Sequence, residues 1–321
     1  MLKAKPFDRR AIPHDATEGM WLAPDGHEIR HIDWPDPPAG VALRGSMLFM
    51  AGRGDAYEKY LESFEHWRLQ GWRVSAADWR GQGGSGRLGN DAATGHIDDF
   101  DLWVEDLATY WSMWAKGRAG PRVLAGHSMG GHLTLRAVID KALDPAPDAL
   151  VLSAPMLDTF PEQLPLPVKR AFSNLMVRIG DDKRPAWKMS EKPGASPGMR
   201  INLLTHDAER YADELWWREH RPELELGPGS WGWVKAAYDS TAKIFARGAL
   251  EDVELPVFIV ATRVDKLVSP AAIRAALARL PNAEDLTFGK EARHEILREV
   301  DDVRNKALAA IDDFLARKVK G

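Results

Sequence analysis

A chain of 321 residues, 45% hydrophobic and 28% charged, can bury a substantial core, as one large domain or as a core domain carrying an insertion. With 43 Lys and Arg against 47 Asp and Glu, the net charge is only −4 and no long basic run occurs, which argues against a nucleic-acid partner. The complete lack of cysteine excludes disulfides, thiolate nucleophiles and thiolate metal sites. The first ten residues, MLKAKPFDRR, lack the apolar stretch of a signal peptide, and no apolar run is long enough to cross a bilayer, so a soluble cytoplasmic chain is expected.

The first element reads as a hairpin. Met20-Trp21-Leu22 and His27–Ile32 flank Pro24-Asp25-Gly26, and an Asp-Gly pair between two such runs is a strong turn signal. A Pro-rich break at 35–40 follows. Short apolar runs then alternate with helical patterns: strand candidates are Ser46–Met50, Arg73–Ala77, Arg122–Ala125, Leu150–Ser153, Val257–Ala261 and Asp285–Phe288. Tyr57, Tyr60, Leu61, Phe64 and Trp67 share one helical face, and Phe100, Trp103, Val104, Leu107, Trp111 and Trp114 share another. Val300, Val303, Leu308, Ile311, Phe314 and Leu315 predict a closing helix. Strands alternating with helices predict an α/β fold, a mostly parallel sheet covered on both faces.

The alternation fails between Pro155 and about Leu250. That stretch holds Pro161, Pro165 and Pro167, a loop-like 193–198 (PGASPG), another break at Pro228-Gly229 and several helical patches, but no clear buried strand. It predicts a helical insertion at 155–250 in a core made of 1–154 and 251–321. The chain holds 13 Trp, and core packing is the default role for most of them.

The chemistry centres on Gly126-His127-Ser128-Met129-Gly130, a G-x-S-x-G that follows Val123-Leu124-Ala125 and precedes the helical Leu133–Val138. Strand, tight turn and helix form the context of a nucleophile elbow, where flanking glycines permit a close approach and the helix N-terminus favours developing negative charge. A serine hydroxyl is a weak nucleophile at neutral pH and needs a base oriented by an acid. In elbow proteins the partners follow in the order Ser, acid, His. Asp265 lies just past the Val257–Ala261 run, and His294, the one histidine after Asp265, lies just past the last strand candidate. His127 reads as packing beside the elbow. The oxyanion donors are expected to be the backbone N–H groups of Met129 and of Arg53, the latter in the loop Ala51-Gly52-Arg53-Gly54-Asp55 after the first core strand. No metal or cofactor is expected: there is no H-E-x-x-H, and the glycine-rich 81–86 lacks the Lys of a phosphate-binding loop.

These stretches resemble the monoacylglycerol lipase and lysophospholipase branch of the α/β-hydrolases, above all its bacterial lysophospholipase L2 group. The resemblance rests on Gly52-Arg53 through Tyr60, residues 78–87 (DWRGQGGSGR), Gly126–Gly131, Ala154-Pro155-Met156, Asn202–His206 and Arg293–Leu297. It implies a helical cap over the active site and hydrolysis of a single-chain acyl ester. Two positions depart from the pattern: Ala51-Gly52 stands where many relatives have His-Gly, and Asp78-Trp79-Arg80-Gly81 where they have Asp-His-Arg-Gly. Neither changes a backbone donor, while both bear on the pocket.

The expected enzyme is a serine-dependent carboxylic ester hydrolase acting through an acyl-enzyme. Ser128 attacks, His294 is base and then acid, and Asp265 orients it. Trp187, Trp216, Trp217, Trp231 and Trp233 are the candidates to line an acyl-chain tunnel, in competition with packing inside the cap. The expected partner is a small lipid-like ester, with transient contact at the inner face of a membrane compatible with such a substrate. Alternatives are another carboxylesterase, a peptidase of the proline-iminopeptidase type using Glu209, Asp213 or Glu214 to hold an amine, and a ligand-binding homologue without turnover. Head group, chain length and oligomeric state are open at this level.

Overall fold

The computed structural model describes residues 7–118, 120–159, 161–188 and 197–319. Its centre is an eight-stranded sheet in the order β1-β2-β4-β3-β5-β6-β7-β8. The strands are β1 (Thr17–Leu22), β2 (Glu28–Asp33), β3 (Gly45–Met50), β4 (Trp72–Ala77), β5 (Arg122–His127), β6 (Ala149–Ser153), β7 (Val257–Thr262) and β8 (Ala283–Phe288). The first two form the antiparallel hairpin, β2 runs antiparallel to β4, and the remaining pairs are parallel. Each of the six core strands is the expected run extended by one or two residues, and the fold is the expected α/β-hydrolase arrangement.

The central strands read as continuous apolar runs because both faces are covered. Alternate residues serve the two sides. Leu48 and Met50 of β3, Leu124 of β5 and Ile259 of β7 pack with α2 (Phe100–Lys116), α3 (Met129–Ile139) and α8 (Pro270–Leu277). Met47, Phe49, Val123 and Phe258 pack on the other side with α1 (Leu61–Leu69) and α9 (Asp301–Lys318). The Tyr57–Trp67 face begins as a 3₁₀ turn at Tyr57–Tyr60 before α1.

Between β6 and β7 the described residues add no strand to the sheet. They form α4 (Leu166–Arg178), α5 (Pro197–Leu204), α6 (Ala208–His220) and α7 (Trp231–Ile244). Of the loop expected at 193–198, residues 193–196 lie outside the described residues, whereas Pro197 and Gly198 open α5, a position that suits proline because its missing N–H would be unpaired there.

The chain reverses direction across the sheet between β3 and β5, since β4 lies on one side of β3 and β5 on the other. Ligands in such sheets bind at the carboxyl ends of the strands at this switch point. Loops following β3 and β5 meet there, and they meet closely. A Cβ on Gly130 would stand 2.2 Å from the Met50 carbonyl oxygen and 2.4 Å from that of Ala51. Gly130→Ala therefore pushes the elbow off β3. The expected outcome is a loss of about 1–3 kcal/mol or more in urea unfolding, together with loss of esterase activity.

Candidate active site

Ser128 sits between β5 and α3 at φ 52°, ψ −117°, a left-handed conformation that a serine adopts only under constraint. The constraint is visible. Its backbone N–H donates to Ser153 O at 2.9 Å, and its carbonyl accepts from His132 N at 3.0 Å and Met156 N at 2.9 Å. The strain presents the hydroxyl at the head of α3.

His294 and Asp265 meet it in line. The Ser128 hydroxyl donates to His294 Nε2 at 3.0 Å, and His294 Nδ1–H donates to Asp265 Oδ2 at 2.8 Å. A carboxylate can only accept, so this pairing fixes the tautomer that leaves Nε2 free to take the serine proton. Asp265 also accepts from Leu267 N at 2.8 Å and Val268 N at 3.1 Å. Burial alone would raise its pKa, but His294 and these bonds hold it below the ordinary carboxylate value. Burial alone would lower the His294 pKa; the Asp265 charge and hydrogen bond outweigh that and hold it above 6.5. His127, its ring 4.8 Å from that of His294, is pushed down to about 4 by burial first and then by His294, so it stays neutral beside the base.

Of the two expected oxyanion donors, Met129 directly follows the serine, and Arg53 follows Gly52, which packs against it. Met129 is the first residue of α3, so its N–H has no partner within the helix. Gly52 lies close enough that a Cβ there would be 3.1 Å from Ser128 Cβ, and the Arg53 backbone N–H that follows donates to no described residue. Gln82, which the sequence showed only as part of a glycine-rich loop, holds this region: its Oε1 accepts from Gly54 N at 2.8 Å and its Nε2 contacts Met129 Sδ at 3.8 Å. The two departures from the family pattern touch each other, Trp79 Nε1 donating to Ala51 O at 2.8 Å. A buried indole thus fixes the carbonyl at the start of the oxyanion loop.

The histidine loop is braced from two directions. Leu203 O and Leu204 O, at the end of α5, accept from His294 N at 3.4 Å and Glu295 N at 2.8 Å. Glu295 in turn joins a buried charge cluster. Lys59 Nζ lies 2.5 Å from Asp55 Oδ1, 2.6 Å from Glu295 Oε1 and 3.1 Å from Glu214 Oε2, and Arg298 pairs with both Glu214 and Glu295. These residues come from three separate stretches of chain, 55–59, 214 and 295–298, so no local pattern announces the cluster as a whole.

A cavity of about 700 Å³ opens on Ser128 and His294, within the range that holds a lipid-sized ligand. Trp187, Trp231 and Trp233 line it, with Met156 and Leu203 from two of the family-like stretches and Tyr238, which the sequence did not single out. Trp216 and Trp217 do not reach it, and here the expectation is corrected. The apolar stripe of α6 faces the N-terminal segment and α1: Trp217 donates to Arg9 O at 3.0 Å and is buried in the core, and Trp216 stacks on His220 at 3.9 Å. The acidic residues that a peptidase would need are also elsewhere. Asp213 pairs with Arg9 and Arg10, Glu214 is held in the charge cluster, and Glu209 is exposed.

A strained serine at a strand-to-helix turn, in line with a histidine and an aspartate at the switch point of this sheet, defines a serine hydrolase of the α/β-hydrolase fold. The chain belongs to the Hydrolase_4 family, described as serine aminopeptidase, S33, whose model matches residues 42–301. It is similar to lysophospholipase L2 of Escherichia coli K12, 30% identical over 316 residues that cover 93% of this chain and 89% of that one. A probable lysophospholipase L2 of Haemophilus influenzae is 26% identical over 288 residues, covering 89% and 87%. Among solved structures, monoglyceride lipase from Saccharomyces cerevisiae matches with a TM-score of 0.75 at 18% identity, covering 98% of this chain and 99% of that one. Monoacylglycerol lipase of Paleococcus ferrophilus matches with a TM-score of 0.68 at 19% identity, covering 91% and 99%. At those identities the structural likeness speaks for the fold.

With His294 as the proposed base, a pKa held above the ordinary imidazole value predicts the acid limb of activity. The base works only unprotonated, so kcat/KM on a neutral ester is expected to fall as pH drops through a midpoint above 6.5. Asp265→Asn removes the charge that raises it, so the midpoint should move down while kcat falls by roughly ten-thousand-fold. A pH–rate profile of both proteins, with a serine-directed label to count active sites, checks this.

Proposed function

We propose that this protein hydrolyses the carboxylic ester of single-chain lipids, of the lysophospholipid or monoacylglycerol kind, through an acyl-enzyme on Ser128. The observation that carries the reading is the Ser128–His294–Asp265 line opening on a large cavity walled mainly by apolar side chains. Ser128 Oγ adds to the ester carbonyl as His294 Nε2 takes its proton. The oxyanion is met by the backbone N–H groups of Arg53 and Met129, each such donor being worth roughly 3–4 kcal/mol in the transition state. His294 then protonates the leaving glycerol oxygen, and water, activated by the same imidazole, releases the fatty acid. Asp265 holds the tautomer and stabilises the imidazolium. The acyl chain would lie along Trp231, Phe172 and Tyr238, under the segment 155–250 acting as a cap. The names carried by the relatives support this substrate class.

The same reading includes transient contact with a lipid surface. Helix α4 is built inside out: Lys169 and Ser173 are buried, Lys169 Nζ bonding Asp158 and Thr159 O, whereas Val168, Phe172 and Leu175 are each at least 50% exposed. Leu164 and Ile179 extend the stripe past both ends. Leu164, Val168 and Phe172 also line the cavity, so the exposed stripe runs into its wall. Such a face suits the apolar boundary of a bilayer. Among the described residues no helix is long and apolar enough to cross a membrane.

Two experiments test these readings. Lysophosphatidylethanolamine and monoacylglycerol with the same acyl chain, p-nitrophenyl butyrate and an aminoacyl amide are incubated with the wild type and with Ser128→Ala. Release of fatty acid that disappears in the variant is expected; turnover confined to the short ester or the amide would discard the lipid assignment. Leu175→Asp with Ile179→Asp should lower the fraction that floats with phospholipid vesicles several-fold. Hydrolysis of a water-soluble ester gives the reference rate against which any loss on vesicle-borne substrate is judged.

A further inference from the structure

Arg53 was read from the sequence for its backbone alone, yet its side chain is the unusual part. The guanidinium lies deep in the wall of the cavity, over the rings of Trp233 and Trp187, with Cζ 5.0 and 5.4 Å from their centroids. It makes one hydrogen bond to the described residues, Nη2 to Gly227 O at 2.9 Å. No carboxylate of the described residues comes within ion-pair distance, and Nε is sealed from water without an acceptor. Gly95 and Gly229 make the room: a Cβ at either would stand 2.9 or 3.4 Å from Nη2.

The two tryptophans share the deficit. Trp187 Nε1 and Trp233 Nε1 are also buried without an acceptor among the described residues. Three N–H donors around the guanidinium are thus buried without partners, and Gly227 O is its one acceptor among the described residues, so the cation sits in the cavity wall without a counter-charge. The nearby charge cluster does not neutralise it. Lys59, Arg200, Arg218 and Arg298 face only Asp55, Glu214 and Glu295, four cations against three carboxylates. Arg200 also lines the cavity and carries a buried, unpartnered Nε. Burial lowers the Arg53 pKa to about 10, with Arg200 adding to the effect, so the group remains a cation at neutral pH and is short of a counter-charge.

We infer that Arg53, flanked by Trp187 and Trp233, is the seat of the anionic phosphodiester of a lysophospholipid head group, which makes this site selective for charged over neutral monoacyl lipids. The inference rests on the lipid-hydrolase reading and narrows it. Its geometry is set by the oxyanion loop: the residue whose backbone faces the ester carbonyl also carries the guanidinium. In a lysophospholipid only the glycerol backbone and one oxygen separate the ester oxygen from the phosphorus. A guanidinium recognises such an oxyanion through charge-assisted N–H bonds, and the two indole rings hold it in place in a water-poor wall. A monoacylglycerol offers a hydroxyl at that place and leaves the cation without a counter-ion.

The test is a ratio. Initial rates on 1-acyl lysophosphatidylethanolamine and on 1-monoacylglycerol of the same chain are measured for the wild type, Arg53→Gln and Arg53→Lys, with p-nitrophenyl butyrate as a third substrate. Any disturbance of the oxyanion loop lowers both lipid rates together, whereas loss of the anion seat lowers the lysophospholipid alone. The wild type should prefer the lysophospholipid. Arg53→Gln should cut its kcat/KM at least tenfold more than that for the monoacylglycerol, chiefly through KM, with Arg53→Lys in between. An unchanged ratio would overturn the assignment and leave the hydrolase reading standing. A wild type that cleaves the butyrate and neither lipid would overturn that reading, and this one with it. If Arg53→Gln does not fold, wild-type inhibition decides the matter: sn-glycerol 3-phosphate should compete with the butyrate and glycerol should not, and equal effects of the two would reject the seat.

Discussion

The close contact between the elbow and β3 is the constraint on which the site depends. Gly130 is pressed against the carbonyls of Met50 and Ala51, and Ser128 is held at a left-handed φ by bonds to β6 and to the residues that follow it. Three strand ends are thereby locked to one another at the switch point. The hydroxyl, the oxyanion loop and the Ala154–Met156 turn cannot shift independently. The strain at Ser128 is small beside the burial of the sheet that imposes it, and it keeps the nucleophile clear of its own backbone.

What surrounds this lock is electrostatic in two different ways. The charges behind His294 are nearly saturated with partners, and they tie Glu295, the residue next to the base, to the oxyanion loop through Lys59 and Asp55. The charge in the cavity wall is left unsatisfied. Satisfied buried ions fix geometry and contribute little to binding, whereas an unpartnered one is a demand placed on the ligand. One chain uses both within the neighbourhood of one serine.

The sheet was legible because doubly covered strands carry an unmistakable signature, and the elbow because its glycines, strand and helix are contiguous. Asp265 and His294 could be picked out since each lies just past a strand. The rest depended on direction, which periodicity does not give. On α6 the Trp216 and Trp217 pattern marks an apolar face without saying what it meets, and it meets the N-terminal segment. On α4 the apolar stripe was present in the sequence, but only the structure shows it turned outward with Lys169 and Ser173 inside. Lys59, Glu214, Glu295 and Arg298 converge from distant positions, so their association had no local signal.

The two carbonyls of α5 have a consequence for how the cavity can be entered. Leu203 O and Leu204 O hold the backbone of His294 and Glu295, so α5 is a structural support of the base as much as a part of the roof. Lifting it would unhook the imidazole from its serine, and a gate there would switch the enzyme off each time it opened. Among the described residues, helix α4 makes no such bond to the histidine loop. Support of the histidine loop thus falls to α5, while the greasy outward face belongs to α4, which is anchored instead through Lys169 to Asp158.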